Sequence, residues 1–224
     1  MLARRLFRRV DAELAKGLGN EPAVVLPIRH LDDHFNRLAR GGAVGVRTYV
    51  ALHSHQRVIL EVQGEPIVSV ECLCSDCQNA GKVLQSLPHA PPVLDPKGAT
   101  RFVLYRKDRV RCEQGQQHLR EHRLSDETKT RRVVAICCNT PMFLEFTNGH
   151  WLSIYGNLWP EPSLPALEMR TMTRDRPAGV ELPEDVPNPQ THTASFYAKL
   201  IRAWAAMGFR SPKIEFVHGT IDAG

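Results

Sequence analysis

The spacing of hydrophobic positions changes character along the chain. Between about Val44 and Leu158, valine, isoleucine and aromatic residues come in short runs: "VGVRTYVAL", "RVILEV", "IVSVEC", "RFVLYR", "RRVVAICC", "MFLEF" and "HWLSIYG". Gly, Pro, Asn and Asp separate them, which predicts β-strands joined by turns. Only "SDCQNAGKVLQSL" reads as a helix in that region, with Ser75 or Asp76 as candidate cap and Pro88 just beyond its end. Ahead of the strands, Leu2, Leu6, Val10 and Leu14 recur at i+4 with arginines opposite, predicting a short amphipathic helix. "AVVLPIRHLDDHFNRLARGG" then adds an apolar stretch and a short helical segment that stops at Gly41 and Gly42.

Past Trp159 the texture becomes proline-rich ("WPEPSLPALEM", "DRPAGVELPEDVPNPQ"), as in an extended linker or surface strap. The last segment, "TASFYAKLIRAWAAMGF", places Phe196, Leu200 and Trp204 at i+4 steps with Tyr197 and Ile201 beside them, and stops at Gly208. Such a helix packs on its own domain or docks on a second subunit; the second option would make a homo-oligomer through this helix. The expected organisation is therefore an N-terminal helical extension (1–42), a domain of short antiparallel strands (43–158), a proline-rich strap (159–190) and a C-terminal amphipathic helix and tail (191–224). The fold class expected is mainly β with helical extensions at both ends.

Composition narrows the partners. At 224 residues, 42 % hydrophobic and 24 % charged, the chain reads as an ordinary soluble globular protein. No apolar run approaches the roughly 18 to 20 residues of a membrane span, so no membrane is expected. "MLARRLFRRVDAELAK" lacks the apolar centre of about 7 to 15 residues of a secretory leader. Six cysteines grouped as three, one and two do not resemble a secreted disulfide scaffold, so a reducing cytoplasm is the expected compartment. The net charge is +5, and residues 101–132 carry ten Lys/Arg against five Asp/Glu. That bias could steer an anion. A salt-bridged strand surface accounts for it equally well, and nucleic acid is not an expected partner.

The chemistry concentrates in "ECLCSDCQ". Cys72, Cys74 and Cys77 lie too close in sequence to pair readily with one another, because neighbouring disulfides close very small, strained rings. A metal asks less of the backbone. Three thiolates on one turn can point at a single zinc ion about 2.3 Å away. Strand alternation puts 72 and 74 on one face, and a turn into the helix can return Cys77 to it. A structural site closes with four protein ligands, whereas a catalytic one keeps a position open, so the fourth ligand decides the role. Candidates are Cys137 and Cys138 in "AICCNTP", where Asn139 suits a left-handed turn, and His53 and His55 in "ALHSHQR". His53, His55 and Cys138 could also make a second site of their own, or the histidines could be ordinary strand residues. Cys112 reads as a plain buried or half-exposed thiol.

"VALHSHQRVILEVQGEPIVSVECLCSDCQNAG", followed some sixty residues on by "RRVVAICCNTPM", resembles the glutathione-dependent formaldehyde-activating enzyme family, a group that includes a centromere-protein branch. The likeness covers about residues 43–158 and leaves both terminal segments outside. It implies a zinc-containing β-tent of antiparallel strands and carbon–sulfur lyase chemistry on a small thiol or thiol–aldehyde adduct of the glutathione type. It also implies that Cys72, Cys74 and Cys77 are the ligands of the zinc regarded as catalytic, while Cys138 matches the last ligand of a separate structural zinc. The chain departs from the pattern at that second site. His53 and His55 stand for an early C-x-C, Gln56 for its glycine, Ala135 for the penultimate cysteine and Asn139 for the glycine after the last one. The resemblance thus supports an enzyme. The loss of pattern at the structural site favours a rival, a non-enzymatic zinc-stabilised interaction module whose three-cysteine site is closed by His53, His55, Cys137 or Cys138.

Overall fold

The structure is a computed structural model, which describes residues 47–51, 57–159 and 163–221. The N-terminal helical extension expected over 1–42 lies outside the described residues, as do His53 and His55. The fold is mainly β. Its strands are β1 (Arg47–Ala51), β2 (Ile59–Gln63), β3 (Val68–Cys72), β4 (Thr100–Arg106), β5 (Val110–Gln114), β6 (Leu119–His122), β7 (Thr130–Ala135), β8 (Thr140–Phe146), β9 (Trp151–Tyr155) and β10 (Met169–Thr171), with helices α1 (Ser75–Gln85) and α2 (Ala194–Ala205).

The strands form a three-stranded sheet, β1-β2-β5, and a seven-stranded sheet, β10-β3-β4-β9-β8-β7-β6. Among the described strands the pairings are antiparallel except β10 with β3, and an isolated parallel bridge joins Glu121 to Thr220. Side-chain alternation gives the large sheet two distinct faces. Val103, Ile154, Phe143 and Val133 are opposite one another in register and share a continuous core with Leu60, Val62 and Val110 of the small sheet. The other face carries the row Leu104, Ser153, Leu144 and Arg132, again in register across β4, β9, β8 and β7.

The proline-rich segment contributes a strand. Residues 169–171 extend the sheet at its β3 edge, with Met169 opposite Val70 and Thr171 opposite Cys72. The strand itself, Met169–Thr171, contains no proline. Arg170 is buried and bonds Glu71 (2.7 Å) on one side and Asp185 (2.7 Å) on the other, while its amide donates to the Pro187 carbonyl (2.9 Å). The strap is thereby fastened to the strand that bears Cys72.

Helix α2 starts at Thr193, whose hydroxyl accepts from the Phe196 amide (3.1 Å) and so satisfies one of the free donors of the first turn. Phe196, Leu200 and Ala203 are buried, the two larger side chains contributing about 1.5–3 kcal/mol each. His150 holds the helix to the start of β9, its Nε2 donating to the Leu200 carbonyl (2.8 Å) and its ring stacking on Trp204 (5.6 Å). Lys199 of the helix pairs with Glu168 beside β10. Tyr197 and Ile201 remain exposed. No helix among the described residues is long and apolar enough to cross a membrane.

Candidate metal centre

The three cysteines meet where β3 runs into α1. Cys72 is the last residue of the strand, and the Leu73 amide then donates to the Thr171 carbonyl (3.0 Å), holding the chain against β10. Cys74 itself caps the helix, in place of the expected Ser75 or Asp76: its sulfur accepts from the Cys77 amide (3.4 Å) and its carbonyl from the Gln78 amide (3.0 Å). Gln78 clamps the turn from below, donating to the Leu73 (2.6 Å) and Asp175 (2.8 Å) carbonyls. The outcome is three sulfurs within 4.8 Å of one another, an arrangement able to hold a metal ion. Sulfurs around a tetrahedral ion at about 2.3 Å would stand roughly 3.8 Å apart, so the cluster needs little movement to close on one.

The electrostatics are those of a thiolate shared among thiols. Hydrogen bonds from Cys72 and then Cys77, helped by the Cys77 amide and the charge of Arg132, hold the Cys74 thiol far below its usual range. Cys72 and Cys77 are pushed up, first by their thiol hydrogen bonds within the cluster and further by burial. Arg132 is only 1 % exposed. Its Nη2 donates to the Asp76 carbonyl (3.2 Å), its Nη1 is buried without a partner, and no carboxylate pairs with it among the described residues. A buried guanidinium without a counter-charge is strongly unfavourable, so the negative charge of the cysteines is its natural balance.

All three cysteines line a cavity of about 420 Å³. Its floor is the sheet face described above, built from alternate residues of β3, β4, β9, β8 and β7: Val70, Phe102, Leu104, Ser153, Leu144 and Arg132 among them. Its other wall comes from the C-terminal part of the chain, with Met172, His192, Phe196, Tyr197 and Leu200. Met172 sits at φ 57, a left-handed conformation that a non-glycine residue adopts at some cost. The Thr171 hydroxyl, also lining the cavity, is buried without a partner. Burial holds the His192 imidazole below its usual value, with the charge of Cys74 pulling the other way. A second hollow, about 470 Å³ at Phe146, Trp151 and Trp204, offers no thiol or carboxylate.

Compared with known proteins, the chain matches no family model, and no curated protein matches it. The site is therefore read on its own geometry.

Cys137 and Cys138 do not join the three-cysteine cluster. Strand β7 ends at Ala135 and residues 136–139 turn, with Asn139 at φ 51. The two sulfurs lie 3.8 Å apart, and Cys138 accepts from the Thr140 hydroxyl (3.2 Å). Burial pushes the Cys137 thiol up to about 11. Cys112 is buried in β5, donates to the Gln114 carbonyl (3.2 Å), and is likewise pushed up to about 11 by burial. The basic stretch does not supply the cavity through Arg101, Arg106, Lys107 or Arg109, none of which lines it. Arg101 bonds the Pro165 carbonyl (2.7 Å), Arg106 pairs with Asp108 (2.6 Å), and Lys107 is buried against Glu145 (2.6 Å).

Arg132 and His192 were not legible as site residues. Arg132 stands among arginines on a strand, and nothing local marks it. His192 carries a weak local signal: it precedes the cap Thr193 and packs on Phe196 (4.5 Å) and Tyr197 (5.9 Å), in the manner of a helix-entry staple.

Proposed function

We propose that the chain is a zinc protein that makes or breaks a carbon–sulfur bond between a thiol and an aldehyde, as the family its sequence resembles does. The observation that carries this reading is the three-cysteine cluster facing a cavity beside an unpaired buried guanidinium. Thiolate donors favour zinc among the divalent ions. A divalent ion with three thiolates keeps a single net negative charge, which the single positive charge of Arg132 balances. The two-sheet, mainly β architecture is compatible with the β-tent that the resemblance implies.

When bound, zinc would supply a Lewis-acid position for the substrate sulfur, and Cys72, Cys74 and Cys77 would hold it. The chain's own groups account for the rest. In the direction of cleavage, His192, kept neutral by burial, accepts the proton of the adduct hydroxyl. The oxygen lone pair forms the carbonyl, and the carbon–sulfur electron pair leaves with the sulfur. Arg132 Nη1 and the Thr171 hydroxyl, both buried without partners, can donate to that oxygen. No oxidant or second cofactor is needed for the balance.

Elemental analysis of the purified chain and of Cys74→Ala, together with aldehyde release from hydroxymethyl-thiol adducts, tests the reading. Zinc in the wild type, its loss in the variant and turnover only with zinc are expected. Zinc without turnover on any adduct would instead leave a non-enzymatic, zinc-stabilised interaction module.

A further inference from the structure

The charged side chains of the cavity, Arg132 and Asp76, stand together, Arg132 donating to the Asp76 carbonyl in the first turn of α1, and this limits what can fill the remainder. Cys72 and Thr171 face each other across β3 and β10, Cys74 and Cys77 follow at the start of α1, and Arg132 reaches that turn from β7 on the other side of the floor. Between them the floor is Phe102, Leu104, Leu144 and Trp151 with the uncharged Ser153 and Thr130, and the opposite wall is Phe196, Tyr197 and Leu200 with His192 beside them. Aromatic rings thus stand on both sides of the space. Phe102 packs beside Tyr155 (4.9 Å), its neighbour across β4 and β9, and Phe196 is held between His192 (4.5 Å) and Tyr197 (5.8 Å) on the opposite wall.

We infer that the site takes a thiol, or its aldehyde adduct, with an aromatic body, and that helix α2 is the wall that selects it. This rests on the functional reading above, since the thiol end is assigned to the cysteine cluster. A tripeptide thiol of the glutathione type brings two carboxylates and an ammonium group. The lining offers one guanidinium, Arg132, and one carboxylate, Asp76. Unpaired charges placed between Leu104, Leu144 and Phe196 would lose their hydration without compensation. A ring there replaces water against apolar surface on both faces and gains from the offset and edge contacts that aromatic pairs favour. The space of about 420 Å³ is within the range of small-molecule sites.

The selecting wall comes from Phe196, Tyr197 and Leu200 of α2, outside the stretch that carries the family resemblance. The cysteine turn, Arg132, Thr171 and His192 serve the reactive end and Phe196, Tyr197 and Leu200 of α2 supply the discrimination, so the two can be altered separately. Tyr197 is the convenient handle, because it lines the cavity yet is 52 % exposed and its loss does not threaten the fold.

Isothermal titration of the metal-containing chain with benzyl mercaptan, benzyl alcohol and glutathione tests this. Benzyl mercaptan is expected to bind about tenfold or more tightly than glutathione, the equivalent of burying one ring face. Phe196→Ala and Tyr197→Ala are each expected to weaken benzyl mercaptan about threefold or more and to leave glutathione unchanged. Glutathione binding as tightly as benzyl mercaptan would overturn the inference, as would a benzyl mercaptan affinity that neither variant moves. Benzyl alcohol separates the two layers of the argument. If it matches benzyl mercaptan while both exceed glutathione, the sulfur is not being held by the cysteine site and the functional reading fails. In that outcome the aromatic selection by α2 stands.

Discussion

Two turns of this protein carry closely spaced cysteines at the end of a strand, and they are chemically unlike. At 72–77 the chain passes from β3 into α1, and three sulfurs converge within 4.8 Å beside Arg132, at the edge of a cavity. At 137–138 the chain turns between β7 and β8. Its two sulfurs lie 3.8 Å apart, that of Cys137 facing that of Cys138, which has the Ala135 carbonyl and the Thr140 hydroxyl as local partners. Sequence proximity of cysteines is therefore not what makes a metal centre. The first turn has a helix start that bends Cys77 back towards Cys72, a counter-charge and a space in front. The second, among the described residues, has local hydrogen bonds only.

The largest expected effect lies in the first turn. Cys77→Ser should lower metal affinity by more than about a hundredfold, beyond what outer-shell changes produce, whereas Cys138→Ser should leave the affinity of that ion unchanged. Competition with a chromophoric chelator measures both, and equal losses would erase the distinction between the turns.

Proton release sharpens it next. Cys74 is already held as thiolate while Cys72 and Cys77 retain their protons near neutral pH. Metal uptake should therefore expel about two protons, so affinity rises about a hundredfold per pH unit below the range where those thiols ionise, and falls as acid is added. Uptake in weakly buffered indicator dye gives the count. Release of no protons would mean that the cluster is not where the ion goes.

Arg132→Met should cost about 3 kcal/mol or more of stability in the metal-loaded protein, because it leaves the negative charge of the cysteines uncompensated. It should also weaken metal binding about 10- to 100-fold. Denaturant unfolding with metal present checks the first, chelator competition the second. An unchanged variant would show that the guanidinium is not the counter-charge.

The smallest effect belongs to the second turn. Cys138→Ala removes one weakly bonded, half-buried sulfur and should cost about 0.5–1 kcal/mol by thermal unfolding. Metal content should stay at the level held by the first turn. Loss of a further ion would show that Cys138 takes part in a second site, with His53 and His55 as its candidate partners, and would make the two turns alike.

Much of the architecture could be read from periodicity alone, and the exceptions have physical causes. β5 and β6 fall within the stretch dense in Arg, Gln and Glu, where alternation shows only as Val110 and Cys112 buried between exposed neighbours. β10 hides among prolines because it is only three residues long, and its pairing with β3 joins residues about a hundred positions apart. Helix α1 was legible over its length, yet its cap was not: a cysteine is an uncommon cap, and Cys74 takes that place because the sulfur faces the Cys77 amide.

The sequence by itself determined the strand-forming runs, the two described helices and the presence of three thiols within reach of one point. Those are local properties, set by side-chain period and by spacings of two and three residues. Only the tertiary structure decided that the thiols face a cavity, that Arg132 lies behind them and that His192, Phe196 and Tyr197 close the far side. Each depends on pairings between residues far apart in the chain. Alternation tells which side chains share a strand face, but strand order, register and the packing of α2 decide what that face meets.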